Sequence, residues 1–470
     1  MIRTQPASVA LARCIEKMQA AELPDVAIRS FARNFRQLEA GPSAGLVSEH
    51  DIVPAAGVTD LEMLSDDYTV IGAKALGQAV AIKLNGGLGT GMKLDHAKSL
   101  IRVKQNLSFL EIAVAQFRQQ GRPLVLMNSF ATNDETHAAL QALSPHGLSE
   151  VYEFVQHQIP RIRQDNLLPV DWPADPALEW CPPGHGDLYA ALLETGTLAK
   201  LRALGCRYAF ISNIDNLGAT LDPTILGFMA QHQIPFLMEV ADRTPADRKG
   251  GHLAGNPHGG WLLRELAQCP AEEREAFQDI QQHRYFNTNN LWVDLDVLAQ
   301  LLDDQQGILE LSVIRNAKQT DPRDKNSPPV YQLETAAGSA IAVIPGAMPL
   351  RVPRTRFAPV KNTSDLLVVQ SDVFNLTRDG KIVLNQRCQK PPRIQLDQRY
   401  YEAIADFEQR FPFGPPSLVG CEELVVEGDV LFGENVMCLG KVEVRNNTDE
   451  PLEITAGTVL QGRTPPGKST

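Results

Sequence analysis

The stretch of this chain that most plainly invites chemistry is KLNGGLGTGMKLDHAKS, residues 83–99. Four glycines, Gly86, Gly87, Gly89 and Gly91, fall within six residues, and lysines follow. Backbone this dense in glycine can lie close against a ligand, and its amides suit phosphate. The spacing argues against two familiar phosphate loops. A dinucleotide fingerprint needs G-x-G-x-x-G; starting from Gly87 and Gly89, its third glycine would fall where Met92 stands. A P-loop needs G-x-x-x-x-G-K-[ST]. Gly86 and Gly91 have the right separation, but Met92 intervenes before Lys93, and Leu94 stands in place of a hydroxyl. For these residues alone, a glycine-rich turn with no ligand remains the alternative.

Six other segments are unusually rich in Asn, Gly and Thr: MNSFATNDET (127–136), WCPPGHGDLY (180–189), SNIDNLGAT (212–220), FNTNNLW (286–292), QLETAAGSAI (332–341) and VPRTRFAPVKNTSDLL (352–367). Such loops are costly to order unless they bind something. Within them, Asp215 has two readings, a magnesium ligand or a turn-capping aspartate. His185, set between glycines, reads either as a ligand contact or as a structural hydrogen-bond partner. Lys98 and Lys361 would, in isolation, be surface lysines.

These loops need a scaffold, and the pattern around them supplies one. Residues 1 to about 70 read as helical, from the spacing of Val9, Ala12, Cys14 and Ile15, then Ile28, Phe31 and Phe35. From about 78 the pattern alternates. Strands are expected at 79–84, 124–127, 208–212, 236–240 and 291–295. Ser108 and Glu111 form a capping box that opens a helix ending at Gly121. Asp187 is expected to cap a helix running to about Leu204. The alternation predicts an α/β fold with a largely parallel sheet, whose ligands would sit beyond the carboxyl ends of the strands. After about 390 a helix over 400–410 leads to short β-rich pieces punctuated by Gly or Asn, which suggests stacked short strands or a small sandwich. The tail RTPPGKST is expected to fray.

The 470 residues suffice for two or three domains, and the net charge of −12 argues against general nucleic-acid binding. No apolar run reaches membrane-spanning length, and Arg13 and Glu16 interrupt the N-terminal apolar pattern, which reads as an amphipathic helix and not a signal peptide. The seven cysteines are an odd number without a C-x-x-C pair, which fits a reducing, cytoplasmic setting and neither a disulfide framework nor a zinc site.

Taken together, KLNGGLGT, PPGHGD, SNIDNLGAT, FNTNNLW, LETAAG and PVK-TSDLL resemble, in order and spacing, the UTP–glucose-1-phosphate uridylyltransferases, also called UDP-glucose pyrophosphorylases. The resemblance runs from about residue 30 to the end. It implies a Rossmann-like, GT-A-like nucleotidyltransferase with a mixed sheet flanked by helices and a C-terminal left-handed β-helix-like domain. The corresponding domains are 1–75 helical, 76–390 catalytic and 391–470 β-helix-like. It implies transfer of the uridylyl group of UTP to glucose 1-phosphate with Mg2+, giving UDP-glucose and pyrophosphate.

By the same resemblance, Leu84, Asn85, Gly86, Gly87, Gly89 and Thr90 would hold the nucleotide, with Gln156 and Gly184 at the uracil and Asn213 beside them. An amide that both donates and accepts suits the uracil edge. Lys98 would reach the triphosphate, Lys361 the reaction centre, and Asp215 the Mg2+. His185, Gly251, Asn289, Asn290, Glu334 and Gly338 would contact the sugar or its phosphate. The chain departs from the usual family wording at Lys93 and Ala97, where Gly and Pro are common, and at His252, usually Thr. Self-association through the C-terminal domain occurs in some members, so a homo-oligomer is a candidate state; nucleic acid and membrane are not expected as partners. The rival readings are the same reaction with galactose or N-acetylglucosamine 1-phosphate, a non-catalytic nucleotide-sugar sensor on this fold, and a P-loop-like kinase.

Overall fold

Every residue of the strand Ala79–Asn85 is buried, and its alternate side chains feed two different cores. Ala79 and Ala81 face a core with Phe109, Ile112 and Phe117, from the helix Phe109–Gln119, while Val80, Ile82 and Leu84 face one with Leu188 and Leu192. A parallel strand with helices on both faces is apolar throughout for this reason. The capping box that opens Phe109–Gln119 is present, with Ser108 and Glu111 satisfying each other's backbone amides. The structure is a computed structural model that describes residues 8–41, 43–94, 96–144, 148 and 150–464. Residues 1–7 of the expected helical segment and the expected frayed tail from Pro465 lie outside the described residues.

The central sheet runs in the order Thr59–Asp60, Met348–Arg351, Phe236–Asp242, Tyr285–Asp294, Tyr208–Asn213, Ala79–Asn85, Leu124–Asn128, Val151–Val155. Tyr285–Asp294 is antiparallel to both of its neighbours along this path, and the other pairings on it are parallel. The carboxyl ends of Ala79–Asn85, Leu124–Asn128 and Tyr208–Asn213 therefore open on one rim with the amino-terminal half of Tyr285–Asp294. The mixed α/β architecture expected from the alternating pattern is the one observed.

Three expectations need correction. The helical reading of the first 70 residues holds for Val9–Ala20 and Asp25–Glu39 and resumes at Asp67–Ala75, but strands Val53–Pro54 and Thr59–Asp60 lie between. They pair with Ala254 and Gly255 and with Leu350 and Arg351, so this stretch extends the central sheet. Pro54 and the left-handed Gly57 (φ 71°) would both interrupt a helix there. The helix expected from Asp187 to Leu204 is two, Leu188–Glu194 and Thr197–Ala203, broken at Gly196, whose φ is 70°. Asp187 makes no capping bond; its carboxylate is committed elsewhere. The helix expected over 400–410 is also two, Gln398–Tyr401 and Ile404–Arg410, parted at the extended Ala403.

The C-terminal strands Arg393–Leu396, Cys421–Glu427, Met437–Arg445 and Val459–Thr464 form one parallel sheet, and Val430–Phe432 pairs in parallel with Leu452–Ile454. Parallel pairing is not that of an antiparallel sandwich. These strands share their core with the preceding part of the chain: Leu424, Val442 and Leu460 belong to the same buried cluster as Leu366, Leu367 and Val373. The Asp372 carboxylate accepts from Ser417 Oγ (2.5 Å) and from the amides of Leu418 (2.8 Å) and Val419 (3.2 Å). Among the described residues no helix is long and apolar enough to cross a membrane.

Candidate active site

The glycine loop leaves the buried end of Ala79–Asn85 and runs through two 3-10 turns, Thr90–Met92 and Lys98–Leu100; the next α-helix begins only at Phe109. A P-loop launches an α-helix directly from its glycines, so that rival fails on structure as well as spacing. The loop is propped from the MNSFATNDET segment. Thr132 Oγ1 donates to Asn85 O (2.7 Å), Ser129 Oγ to Gly86 O (2.9 Å), and Asn85 Nδ2 to Asn128 Oδ1 (2.8 Å) and Thr136 Oγ1 (2.9 Å). The side chain of Asn85 thus braces the loop from beneath.

Gly86 is glycine for a local reason. A Cβ there would lie 2.3 Å from Gln156 Nε2, so the amide of Gln156 rests on the loop backbone. Gln156 is buried and its Oε1 has no hydrogen-bond partner. A buried acceptor left open asks for a donor from a ligand. Gly184 closes the same corner at φ 81°, where a Cβ would meet Thr335 O at 2.5 Å and Glu334 Cβ at 2.9 Å. His185 accepts at Nδ1 from Ala337 N (2.9 Å), and burial lowers its pKa to about 4. The ring is therefore neutral with its proton on Nε2, a donor.

Lys98 lies under Gly89 and donates to Asp215 in a mostly buried ion pair. Lys361 comes from a neighbouring loop, whose Pro359 bridges to Asn216. Its segment is held by Asn216, whose Oδ1 accepts from Ala358 N (2.9 Å), and by Asp365, whose Oδ2 accepts from the Lys361 and Asn362 amides (2.8 and 3.1 Å). Lys361 Nζ lies 5.6 Å from the Phe357 ring centroid and is otherwise exposed. A Cβ on Gly91 would sit 3.3 Å from Lys361 O, so the two loops touch. Among the described residues no three His, Cys, Asp or Glu side chains are grouped to hold a metal. The lone Asp215 carboxylate fits the magnesium ion that the resemblance implies, because Mg2+ typically takes one or two carboxylates and fills its octahedron with phosphate oxygens and waters.

The FNTNNLW strand turns a bulge at the site. The register against Phe236–Asp242 slips between Glu239 and Val240, and Asn289 takes φ 58°. Bulges beside active sites commonly re-aim a side chain in this way. Asn289 Nδ2 donates to Asn213 Oδ1 (2.8 Å), while its own Oδ1 is buried without a partner. Asn287 accepts at Oδ1 from Asn289 N (2.9 Å), its backbone amide donates to Gly251 O (3.1 Å), and its side chain lies against Gly338.

Asn290 does not belong with them. It is 0% exposed, donates to Glu239 Oε2 (3.0 Å) and Arg356 O (3.2 Å), and accepts from Asn216 Nδ2 (3.0 Å). Both ends of its amide are used inside the protein, so it forms floor beneath the site together with the buried Arg356–Glu239 pair. Two residues that sequence reasoning missed lie against the glycines Gly338 and Gly251. One is Asn287, the half-buried amide of the quoted motif. The other is Glu265, whose carboxylate would be 2.4 Å from a Cβ on Gly251. Burial raises the Glu265 pKa to about 7 against the pull of Lys361. Only the glycine at 251 hinted at a close neighbour.

Lys93, the departure within the loop, takes φ 52° and pairs with Glu402 at 2.7 Å, so it tethers the loop to the C-terminal part. His252, the other departure, is fully buried and stacked on His283. All seven cysteines are free, and burial pushes the Cys14, Cys181 and Cys438 thiols up to about 12, far from nucleophilic use.

The sequence model of the UTP–glucose-1-phosphate uridylyltransferase family matches residues 29–439. A UTP–glucose-1-phosphate uridylyltransferase of Hordeum vulgare is 40% identical over 397 residues, covering 83% of this chain and 81% of that protein. A probable UTP–glucose-1-phosphate uridylyltransferase of Schizosaccharomyces pombe is 37% identical over 429 residues, covering 89% and 81%. A crystal structure of a UDP-glucose phosphorylase from Trypanosoma brucei superposes with a TM-score of 0.88 at 42% identity, covering 98% of this chain and 100% of that one. A point mutant of the Leishmania major UDP-glucose pyrophosphorylase, crystallised in complex with UDP-glucose, gives 0.89 at 40% identity, covering 98% and 99%.

Proposed function

The chain belongs to the UTP–glucose-1-phosphate uridylyltransferase family, and from that premise we propose how its cleft makes UDP-glucose and pyrophosphate from UTP and glucose 1-phosphate. The reaction is nucleotidyl transfer. A phosphate oxygen of glucose 1-phosphate attacks the α-phosphorus of UTP, the bond from that phosphorus to the β-bridging oxygen breaks, and pyrophosphate leaves. The attacking phosphate has lost its second proton near pH ~6, so no general base is needed. The barrier is bringing a dianion onto a triphosphate, which is met by positioning and charge.

Each residue then has a task. The open Oε1 of Gln156 accepts the uracil N–H, and the backbone at Gly184 closes on the ring. Backbone amides of Leu84, Gly86, Gly87, Gly89 and Thr90 face the nucleotide, with Asn213 beside them. Lys98 would exchange Asp215 for the triphosphate, and the freed carboxylate would hold Mg2+. Bound magnesium supplies neutralisation of the charge on the phosphates. Lys361, on the loop that bridges to Asn216, stabilises charge building on the transferred phosphoryl group. The Nε2–H of His185 donates to the sugar phosphate. Gly251, Glu265, Asn287, Asn289, Glu334 and Gly338 surround the sugar.

The observation that carries this reading is the convergence of Lys98, Asp215 and Lys361 at the mouth of the glycine loop. A nucleotide-sugar sensor has no need of such a charge set. Turnover measured with glucose, galactose and N-acetylglucosamine 1-phosphates tests it: glucose 1-phosphate should be the best substrate, and a clear preference for another would move the sugar assignment.

The same reading divides the chain into residues 1–75, 76–390 and 391–470, with 53–60 lending strands to the catalytic sheet. It takes the parallel C-terminal coils as a left-handed β-helix and as the surface of homo-oligomer assembly. Exposed Met437 and Val459, paired across neighbouring strands, and Leu439 beside them support that surface. Seven free cysteines support a cytoplasmic setting, and the net charge of −12 supports neither nucleic acid nor an anionic membrane as partner.

A further inference from the structure

Gln156 is followed by His157, and Asp187 stands three residues after Gly184; His157 and Asp187 are buried and locked together. Asp187 Oδ2 accepts from the His157 backbone amide at 2.7 Å, and Asp187 Oδ1 from His157 Nδ1 at 2.8 Å. One carboxylate thus holds both the main chain and the side chain of the residue next to Gln156. On the other side, the Gln156 backbone N–H donates to Asn128 O at 2.8 Å, so the segment is fixed from both directions. Ser30, Phe31 and Asn34 of the helix Asp25–Glu39 line the same small cavity as His157 and Asp187 and close over the pair. No phosphate, metal or sugar role is assigned to either residue, and the cleft-side contacts described above do not use them.

We propose that the His157–Asp187 pair is a specificity-determining clamp, which sets Gln156 and Gly184 at the separation that accepts uracil and rejects cytosine. The inference rests on the reading that Gln156 and Gly184 hold the base. The physical reason lies in the open acceptor of Gln156. The ring N–H of uracil at position 3 can donate to it, whereas cytosine presents a lone pair there. Discrimination of this kind depends on the amide being unable to flip or retreat, because a mobile Gln would offer its NH2 group to cytosine instead. Gln156 Nε2 is already pressed against Gly86, and the clamp fixes the backbone from which the side chain starts. A pair that fastens two base-reading loops to each other controls the width of the slot, and errors of about 1 Å at such a distance cost heavily.

The test compares UTP and CTP as substrates at fixed glucose 1-phosphate, with KM for pyrophosphate in the reverse reaction as the internal control. Four variants are made: Gln156→Ala, Asp187→Ala, His157→Ala and His157→Asn. The inference expects Asp187→Ala and His157→Ala to reduce the UTP-over-CTP ratio of kcat/KM by about ten-fold or more, while KM for pyrophosphate stays within about two-fold. His157→Asn, whose amide can donate where Nδ1 does, should recover most of the ratio. A purely structural role would lower both substrates in parallel and leave the ratio intact. If Gln156→Ala collapses the ratio while a folded clamp variant keeps it, the clamp is overturned and the base site stands. If Gln156→Ala itself leaves the ratio unchanged, the base site is misplaced and the clamp falls with it. Should Asp187→Ala fail to fold, His157→Ala, which retains the backbone bond to Asp187, decides the question.

Discussion

At the scale of single residues, the proposed chemistry rests on charged side chains gathered from distant parts of the chain. Lys98, Asp215 and Lys361 come from three distant segments, and the structure brings the first two into contact. Motif order singled them out. Asn290 was misjudged for the reason that Asn287 was missed: two extra residues, Thr288 and Asn289, stand in the strand opposite the step from Glu239 to Val240, and nothing in NTNN says where the bulge falls. Glu265 gave no signal in the sequence because its partner is the absence of a side chain at Gly251. Lys361→Ala should lower kcat by about 10²-fold, as expected for loss of one group that stabilises charge in the transition state, with a smaller effect on UTP binding. Steady-state kinetics with equilibrium UTP binding check this, and an unchanged kcat with a raised KM would make Lys361 a ground-state contact. Asp215→Ala should abolish turnover at ordinary Mg2+ and leave the thermal unfolding midpoint close to that of the parent. Near-normal activity with ordinary magnesium dependence would assign the metal to another carboxylate.

At the scale of elements, the buried parallel strands and the capping box were read correctly because periodicity and capping are local properties. The breaks at Gly196 and Ala403, and the strands at 53–60, depend on partners far along the chain. One element carries a pH dependence of its own. The strand His252–Gly255 places His252 against His283, with ring centroids 3.9 Å apart, and Arg243, Arg264, Glu49 and Phe277 surround them. Burial, and then His283, lower the His252 pKa from 6.5 to about 2. Burial lowers that of His283 as well, against the pull of Glu49. Both rings are neutral when folded. Below about pH 6.5 the unfolded chain takes up protons that the folded chain refuses, so stability falls as pH drops, by about 1 kcal/mol per pH unit for such a group. Thermal unfolding between about pH 7 and about pH 5 should therefore show a declining midpoint, and a shallower decline in His252→Thr. An identical slope in both proteins would mean that His252 is protonated in the fold.

At the scale of the whole molecule, the sequence separated a β-rich C-terminal part by composition, yet it could not reveal how tightly that part is joined to the rest. Asp372, the shared core around Leu366 and Leu424, and the Lys93–Glu402 bridge unite the two. Residues that contact each other across most of the chain leave no periodic trace. Assembly through this region is better tested by surface charge than by truncation, which would open that core. Leu439→Glu with Val459→Glu should lower the mass in solution, measured by light scattering, and leave turnover per chain unchanged. An unchanged mass in an oligomeric parent would place the interface elsewhere. The central claim is that Lys98, Asp215 and Lys361 serve transfer of a uridylyl group to a sugar phosphate. Its most direct test is pyrophosphate release from UTP by the full chain, with and without glucose 1-phosphate and with and without Mg2+. Release that requires all three and equals the UDP-glucose formed is the predicted result. Release that does not need glucose 1-phosphate, or none under any of these conditions, would contradict it.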